Sequence, residues 1–146
     1  MKYICPLCAI NPTAHSLTEV FETKNVKYFY TCPSKAKLYY DSKSIINHYD
    51  GVLSEIPPNS NWIWIFDSTN FNLIHVLQLK VGIELGKLIS SKFSKNCKKI
   101  IIINPTKYIS IIYDFIKPFL NKKIQSLIEF NDKIKSYQEI ISSLSI

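Results

Sequence analysis

Two runs in the chain leave no polar side. Trp62-Ile63-Trp64-Ile65-Phe66 alternates aromatic and aliphatic residues, and Lys98-Lys99 lead into four consecutive isoleucines, Ile100 to Ile103. Successive side chains of a strand point to opposite faces, so Trp62, Trp64 and Phe66 share one face and Ile63 and Ile65 the other. A sheet built on such strands is covered on both sides. Each run is followed by a long stretch with apolar residues at helical spacing, Leu73–Phe93 and Lys107–Asn121, and a weaker strand follows the second by Phe130. That alternation builds right-handed parallel units, and it predicts an α/β fold with a mainly parallel sheet and flanking helices.

The second helix is more apolar than a sheet-covering helix has to be. Lys107, Ser110, Asp114, Lys117 and Asn121 form one narrow polar stripe, and the rest of the circumference is Tyr108, Ile109, Ile111, Ile112, Tyr113, Phe115, Ile116, Phe119 and Leu120. An apolar stripe of roughly 100° suffices to cover a sheet. Burying one large apolar side chain is worth about 1.5–3 kcal/mol. Leaving several in water forfeits much of a domain stability of about 5–15 kcal/mol. The second face therefore calls for an apolar partner: more protein, in a subunit interface or under a terminal segment, or a lipid or membrane.

Upstream, residues 1–25 read as an irregular, Pro-containing lead, and residues 26–146 as the α/β domain. Val26–Thr31 is rich in strand formers, and Leu38–Tyr40 adds a short strand after a turn at Pro33-Ser34. Asp41 or Ser42 caps a helix that reaches about Ile56, is interrupted by Gly51, and is stopped by Pro57-Pro58. Gly82 and Gly86 let the helix Leu73–Phe93 approach the sheet or a neighbouring helix closely. A final helix is expected over Lys133–Leu144.

The net charge of +7 comes from lysine alone, since the 146 residues include no arginine. Nucleic-acid readers rely on arginine for bidentate base contacts, so no nucleic-acid partner is expected. The wealth of Ile, Asn, Lys, Tyr and Phe points to an A/T-rich genome, such as that of a large DNA virus or a protist. Lys92, Lys95, Lys98, Lys99, Lys122 and Lys123 flank strand and helix ends, as a rim that either attracts an anionic membrane surface or is simply solvated. No run approaches the roughly 18 apolar residues of a membrane span, and Pro6 and Pro12 break the amino-terminal apolar stretch too early for a signal peptide. A cytoplasmic protein, at most peripheral to a membrane, is expected, with its cysteines as thiols or metal ligands.

Cys5-Pro6-Leu7-Cys8 has the spacing of a zinc knuckle, and His15 and Cys32 complete a set of four N/S ligands. Reduced structural thiols and a redox pair are the other readings of the same residues. Cys97 reads as a core residue. His48 lies near Asp50, which suggests acid–base chemistry or a solvated or capping role; His75 reads as a loop-orienting residue. Asp67 ends the first strand, where α/β sheets place ligands, or else caps the next loop. No nucleophile elbow, phosphate loop or H-E-x-x-H pattern occurs, so no enzyme is expected.

The order WIWIFDSTNFNLIH, a long helix ending LISSKF, then KNCKKIIIINPTKYISIIYDFIKPFLNKKIQSLIEF resembles the core of a CRAL-TRIO domain, the fold of phosphatidylinositol and retinoid transfer proteins. The likeness runs from about Val26 onward and is strongest at IIIINPT and the following helix ending KPFL. It implies that helix Lys107–Asn121 is a movable gate over a pocket for one lipid, with Tyr108, Ile111, Ile112, Phe115 and Phe119 opposite Ile101 and Ile103. Phosphatidylinositol-binding members carry a glutamate before the IIIIN strand and a lysine after the gate, where this chain has Lys95 and Leu127. The resemblance therefore does not extend to inositol headgroup recognition. The helical domain that usually precedes this fold and the segment that closes the pocket in longer members are not seen, which implies a small, open or absent cavity. The expected function is binding or sensing of an apolar lipid. The alternative is a protein-interaction module, as a scaffold, small-GTPase partner or homodimer, and a zinc-stabilised host-interaction protein is a third reading.

Overall fold

A computed structural model describes residues 3–11 and 14–144. A short helix, Pro6–Ile10 (α1), precedes strand Thr18–Thr23 (β1), which pairs antiparallel with Val26–Thr31 (β2). Asn25 takes φ 89° in the two-residue turn between them, the left-handed region that asparagine tolerates better than most residues. Helix Ser42–Leu53 (α2) leads to strand Asn61–Asp67 (β3). Helices Leu73–Leu77 (α3) and Leu79–Leu88 (α4) lead to Cys97–Ile103 (β4). Lys107–Ile116 (α5) and Lys122–Leu127 (α6) lead to Ile128–Asn131 (β5), and Tyr137–Leu144 (α7) follows. The sheet runs β1-β2-β3-β4-β5, with β2 to β5 parallel. This is the α/β architecture that the hydrophobic pattern predicts.

Because the parallel strands lie side by side in chain order, crossovers of one hand carry the connecting helices to one face. Ile45, Tyr49 and Leu53 of α2, Val81 and Leu85 of α4 and Ile124 of α6 pack there with Trp62, Trp64 and Ile100. The opposite face, Tyr28, Ile65, Ile101 and Ile103, is covered by Ile140 of α7 with Ile134 and Tyr137. The alternation in β3 thus separates two cores: its tryptophans face the crossover helices and Ile65 faces α7. Under α5 lies a smaller cluster of Phe71, Ile102, Ile109 and Ile112.

Several local expectations change. The stretch read as an irregular lead contains α1 and β1; β1 is an edge strand whose residues are at most half-buried, so it carries no apolar alternation. Leu38–Tyr40 is a turn rather than a strand, with the Leu38 amide donating to Ala14 O and the Asp41 amide to Leu38 O. Asp41 caps α2 by accepting from the Ser44 amide at 3.2 Å. Gly51 does not interrupt α2; the Tyr3 ring lies against its bare Cα, where any Cβ would collide. The stretch Leu73–Phe93 breaks at Gln78 and ends in a π turn, Ile89–Phe93. Pro118 lacks an amide hydrogen to continue α5, so Lys117–Phe119 tightens into a 3-10 turn. The last helix starts at Tyr137, where Glu139 accepts from the amides of Lys135 and Ser136 at 2.6 and 2.9 Å. Among the described residues no helix is long and apolar enough to cross a membrane.

Candidate functional site

Between the crossover helices and the sheet lies an apolar pocket of about 120 Å³. Its floor is Trp64 and Phe66 of β3 with Ile100 and Ile102 of β4; Leu85 of α4 and Ile112 and Ile116 of α5 close it. The polar groups of Trp64, Thr31, Tyr49 and Ser16 in its wall satisfy one another. Trp64 Nε1 donates to Thr31 Oγ1 at 2.9 Å, Thr31 Oγ1 and the Tyr49 hydroxyl lie 3.0 Å apart, and that hydroxyl donates to Ser16 O at 2.9 Å. A larger depression of about 300 Å³ lies around Trp62 and Phe93, but it is more polar, with Lys92, Lys95 and Asn96 in its wall.

Helix α5 covers the pocket through a close contact with α4. A Cβ built on Gly82 would collide with Ile116 Cδ1, and one on Gly86 would lie 3.0 Å from Leu120 Cδ2 and 3.2 Å from Ile116 Cγ2. The two glycines therefore let the neighbouring helix segment, rather than the sheet, sit directly on the α4 backbone. Only one face of α5 is used: Ile109 and Ile112 are buried, whereas Ile111 and Phe115 are 43% and 58% exposed, as is Phe119 at 41% in the following turn. Leu73, Ile74 and Leu77 of the adjacent α3 are 56–72% exposed.

Of the residues expected to line a lipid cavity, the structure puts Ile112 in the pocket wall. Tyr108 is half-buried beside it in the cluster under α5. Ile111, Phe115 and Phe119 point outward. Ile101 and Ile103 belong to the opposite sheet face, under α7, and Ile100 and Ile102 take the positions assigned to them. The parity is set by an extra residue in β4: Trp62 pairs with Cys97 but Ile63 with Lys99, so Cys97 and Ile100 face the same way although three apart.

Near the amino terminus, the ligand atoms of Cys5, Cys8, His15 and His48 all lie within 4.8 Å of one another, a group able to hold a metal ion. Cys32, expected in this set, is elsewhere: its Sγ lies 3.3 Å from Ser34 Oγ and 3.9 Å from Thr69 O. His48 replaces it and is neither solvated nor a cap; it is buried, with its ring 4.9 Å from that of His15. Burial pushes the Cys8 thiol up, and it holds both imidazoles below their ordinary value.

Asp67 is a loop anchor. Its Oδ1 accepts from the Thr69 amide at 3.0 Å, Thr69 Oγ1 at 2.6 Å and Asn104 Nδ2 at 3.1 Å, and its Oδ2 accepts from the Tyr30 hydroxyl at 2.6 Å. Burial alone raises this carboxyl, but the hydrogen bonds from Thr69, Tyr30 and Asn104 outweigh it and hold it below the usual carboxylate range. Asn104 sits at φ 49°, and Thr106 Oγ1 donates to Phe71 O at 2.9 Å. The Asn-Pro-Thr turn thus ties the start of α5 to the loop after β3. His75 accepts from the Asn72 amide at 3.0 Å in a capping box.

A family model described as the CRAL/TRIO domain matches residues 5–144. The chain belongs to the CRAL/TRIO domain family. Its fold is also similar to the crystal structure of Sfh5, with a TM-score of 0.62 at 11% identity. That match covers 82% of this chain and 47% of Sfh5, so the chain spans about half the length of that structure. No curated protein matches it in sequence. The CRAL/TRIO domain is a lipid-binding and lipid-transfer fold whose members are generally not enzymes. Helix α5, tied at its start to the loop after β3, lies over the pocket and lines it with Ile109, Ile112 and Ile116.

Proposed function

We propose that this CRAL/TRIO domain binds one apolar lipid chain between gate helix α5 and the β3–β4 face, and exchanges it at a lipid surface. The observation that carries this is the pocket itself: an apolar space beneath the gate, with the polar groups of Trp64, Thr31, Tyr49 and Ser16 in its wall already paired. A plain hydrocarbon chain, acyl or isoprenoid, leaves none of those groups wanting. At about 120 Å³ the space falls below the roughly 300–1,000 Å³ of ligand pockets. It is close to the ~150 Å³ apolar cavity that stays dry and takes a benzene-sized guest. We read this as the closed state, which widens when Ile112 and Ile116 swing away. Each large side chain so exposed costs about 1.5–3 kcal/mol, a cost that contact with the incoming chain offsets.

The outward face of the gate supplies the docking surface. Ile111 and Phe115 on α5 and Leu73, Ile74 and Leu77 on α3 form an exposed apolar face, with exposed Lys107 at the start of α5 and exposed Lys80 at the start of α4. The expected lysine rim fits this role less well. It lies at the start of β4 and around α6, whereas α3 and the start of α5 follow the carboxyl ends of β3 and β4. Lys92 pairs with Asp50, Lys99 with Glu129, and Lys123 donates to Lys95 O. The test is solvent extraction and mass spectrometry of protein purified gently from a eukaryotic cytosol, with uptake of a fluorescent fatty acid as a second readout. One chain-bearing lipid per protein and saturable uptake are expected. A lipid-free protein that takes up no fatty acid but retains a stoichiometric protein partner, or a second copy of itself, would replace this reading with the interaction module.

A further inference from the structure

We propose that Cys5, Cys8, His15 and His48 form a structural zinc centre that staples the amino-terminal segment to α2. The geometry is close to that of a loaded site. Sulfur and nitrogen donors about 2.3 and 2.0–2.1 Å from a tetrahedral zinc stand roughly 3.3–3.8 Å apart. Here both Cys5 Sγ and Cys8 Sγ lie 3.5 Å from His15 Nδ1, and Cys8 Sγ lies 3.8 Å from His48 Nδ1.

The outer contacts leave both histidines with the correct nitrogen free. His48 Nε2 is 3.1 Å from Leu17 O, which can only accept, so Nε2 carries the proton and Nδ1 presents its lone pair to the sulfurs. Ser44 Oγ spends its own proton on Asp41 O at 3.1 Å and so accepts from His15 Nε2 at 2.9 Å, which again leaves Nδ1 bare. Such partners on the far nitrogen orient metal-binding imidazoles. Four protein ligands leave no open position, as in structural rather than catalytic zinc sites. Two thiolates cancel the charge of the ion, so the centre tolerates burial, and mixed thiolate and imidazole donors favour zinc over calcium or magnesium.

The segment also needs such a staple. Helix α1 has no buried residue, and Ile4 and Ile10 beside and within it are 73% and 85% exposed. Apolar packing therefore does little to hold it. Two of its attachments are at α2: the cluster at His48 and, one turn on, the Tyr3 ring on Gly51.

The full chain, produced with zinc in the medium, should contain one zinc per protein by elemental mass spectrometry. Its cobalt-substituted form should show the strong visible bands of tetrahedral sulfur coordination. His48→Asn and Cys8→Ser should weaken zinc retention against a chelator at least a hundredfold, and Ser44→Ala, which removes the hydroxyl that accepts from His15 and donates to Asp41 O, about 10–100-fold. Cys32→Ser and Cys97→Ser should retain zinc fully. If Cys8→Ser does not fold, the metal content and cobalt spectrum of the unaltered chain still decide. A metal-free protein, a Cys5–Cys8 disulfide, retention unchanged by His48→Asn, or loss on Cys32→Ser would each overturn the proposal.

Discussion

Replacing Ile112 by phenylalanine should block lipid uptake without unfolding the domain. Ile112 is 2% exposed and forms part of the pocket wall. An unfilled core cavity costs about 24 cal/mol per Å³, so a space of about 120 Å³ carries about 3 kcal/mol. A larger apolar side chain recovers part of that, less about 1–3 kcal/mol for imperfect fit. Ile112→Phe should therefore leave stability unchanged or raise it by up to about 2 kcal/mol. At roughly 2–4 °C per kcal/mol for a chain of this size, the melting temperature should hold or rise by several degrees. The unaltered protein should in turn be stabilised by a bound fatty acid, by about 2.7 kcal/mol at a hundredfold excess over Kd, and the variant should not. Thermal melts with and without fatty acid read both effects. A variant destabilised by more than about 2 kcal/mol, or one stabilised by lipid as fully as the parent, would refute the reasoning.

Three further outcomes follow from the same geometry. Gly82→Val should push Ile116 and the gate off α4, cost about 1–3 kcal/mol, and speed hydrogen exchange in α5; unaltered exchange there would show that the glycine contact does not hold the gate. Leu77→Asp, at a position 72% exposed, should change stability by less than about 0.5 kcal/mol yet lower attachment to lipid vesicles, and equal attachment would remove α3 from the docking face. The Asp67 carboxyl is held below its unfolded value, so its stabilisation is present above about pH 4 and is lost as pH falls through the lowered native value. The stability advantage of the parent over Asp67→Asn, followed by urea midpoints, should therefore shrink as pH drops below 4; a gap that does not vary with pH would contradict the hydrogen-bonded role of the carboxylate.

Much of the architecture is legible in the pattern because β3 and β4 are apolar on both faces, which only a two-sided core satisfies. Which isoleucines face the gate is not. Four identical residues carry the period but not its phase, and the extra residue at Lys98 resets the phase between Cys97 and Ile100. The gate helix is readable as amphipathic in excess, but which apolar half packs inward depends on where α4 offers glycines to it. For the Cys/His cluster, three ligands lie close in sequence, while His48 comes 40 residues after Cys8 on another element. A signal for it did exist: Ile45, His48, Tyr49 and Leu53 form one buried stripe of α2, and a histidine inside such a stripe requires a polar or metal partner. Strand β1 left little trace because an edge strand with both faces partly wet needs no alternation.

Photo-crosslinking with a fatty acid bearing a diazirine midway along its chain tests most directly whether an apolar chain lies beneath the gate. Residue-resolved mass spectrometry of the adducts should place the label on Ile112 or Ile116 of α5, or on Ile100, Ile102 or Ile128 across the pocket, and Ile112→Phe should abolish it. Labelling confined to Ile111, Phe115 and Phe119 on the outer face, and undiminished by Ile112→Phe, would show that the chain never enters and would contradict the proposed function.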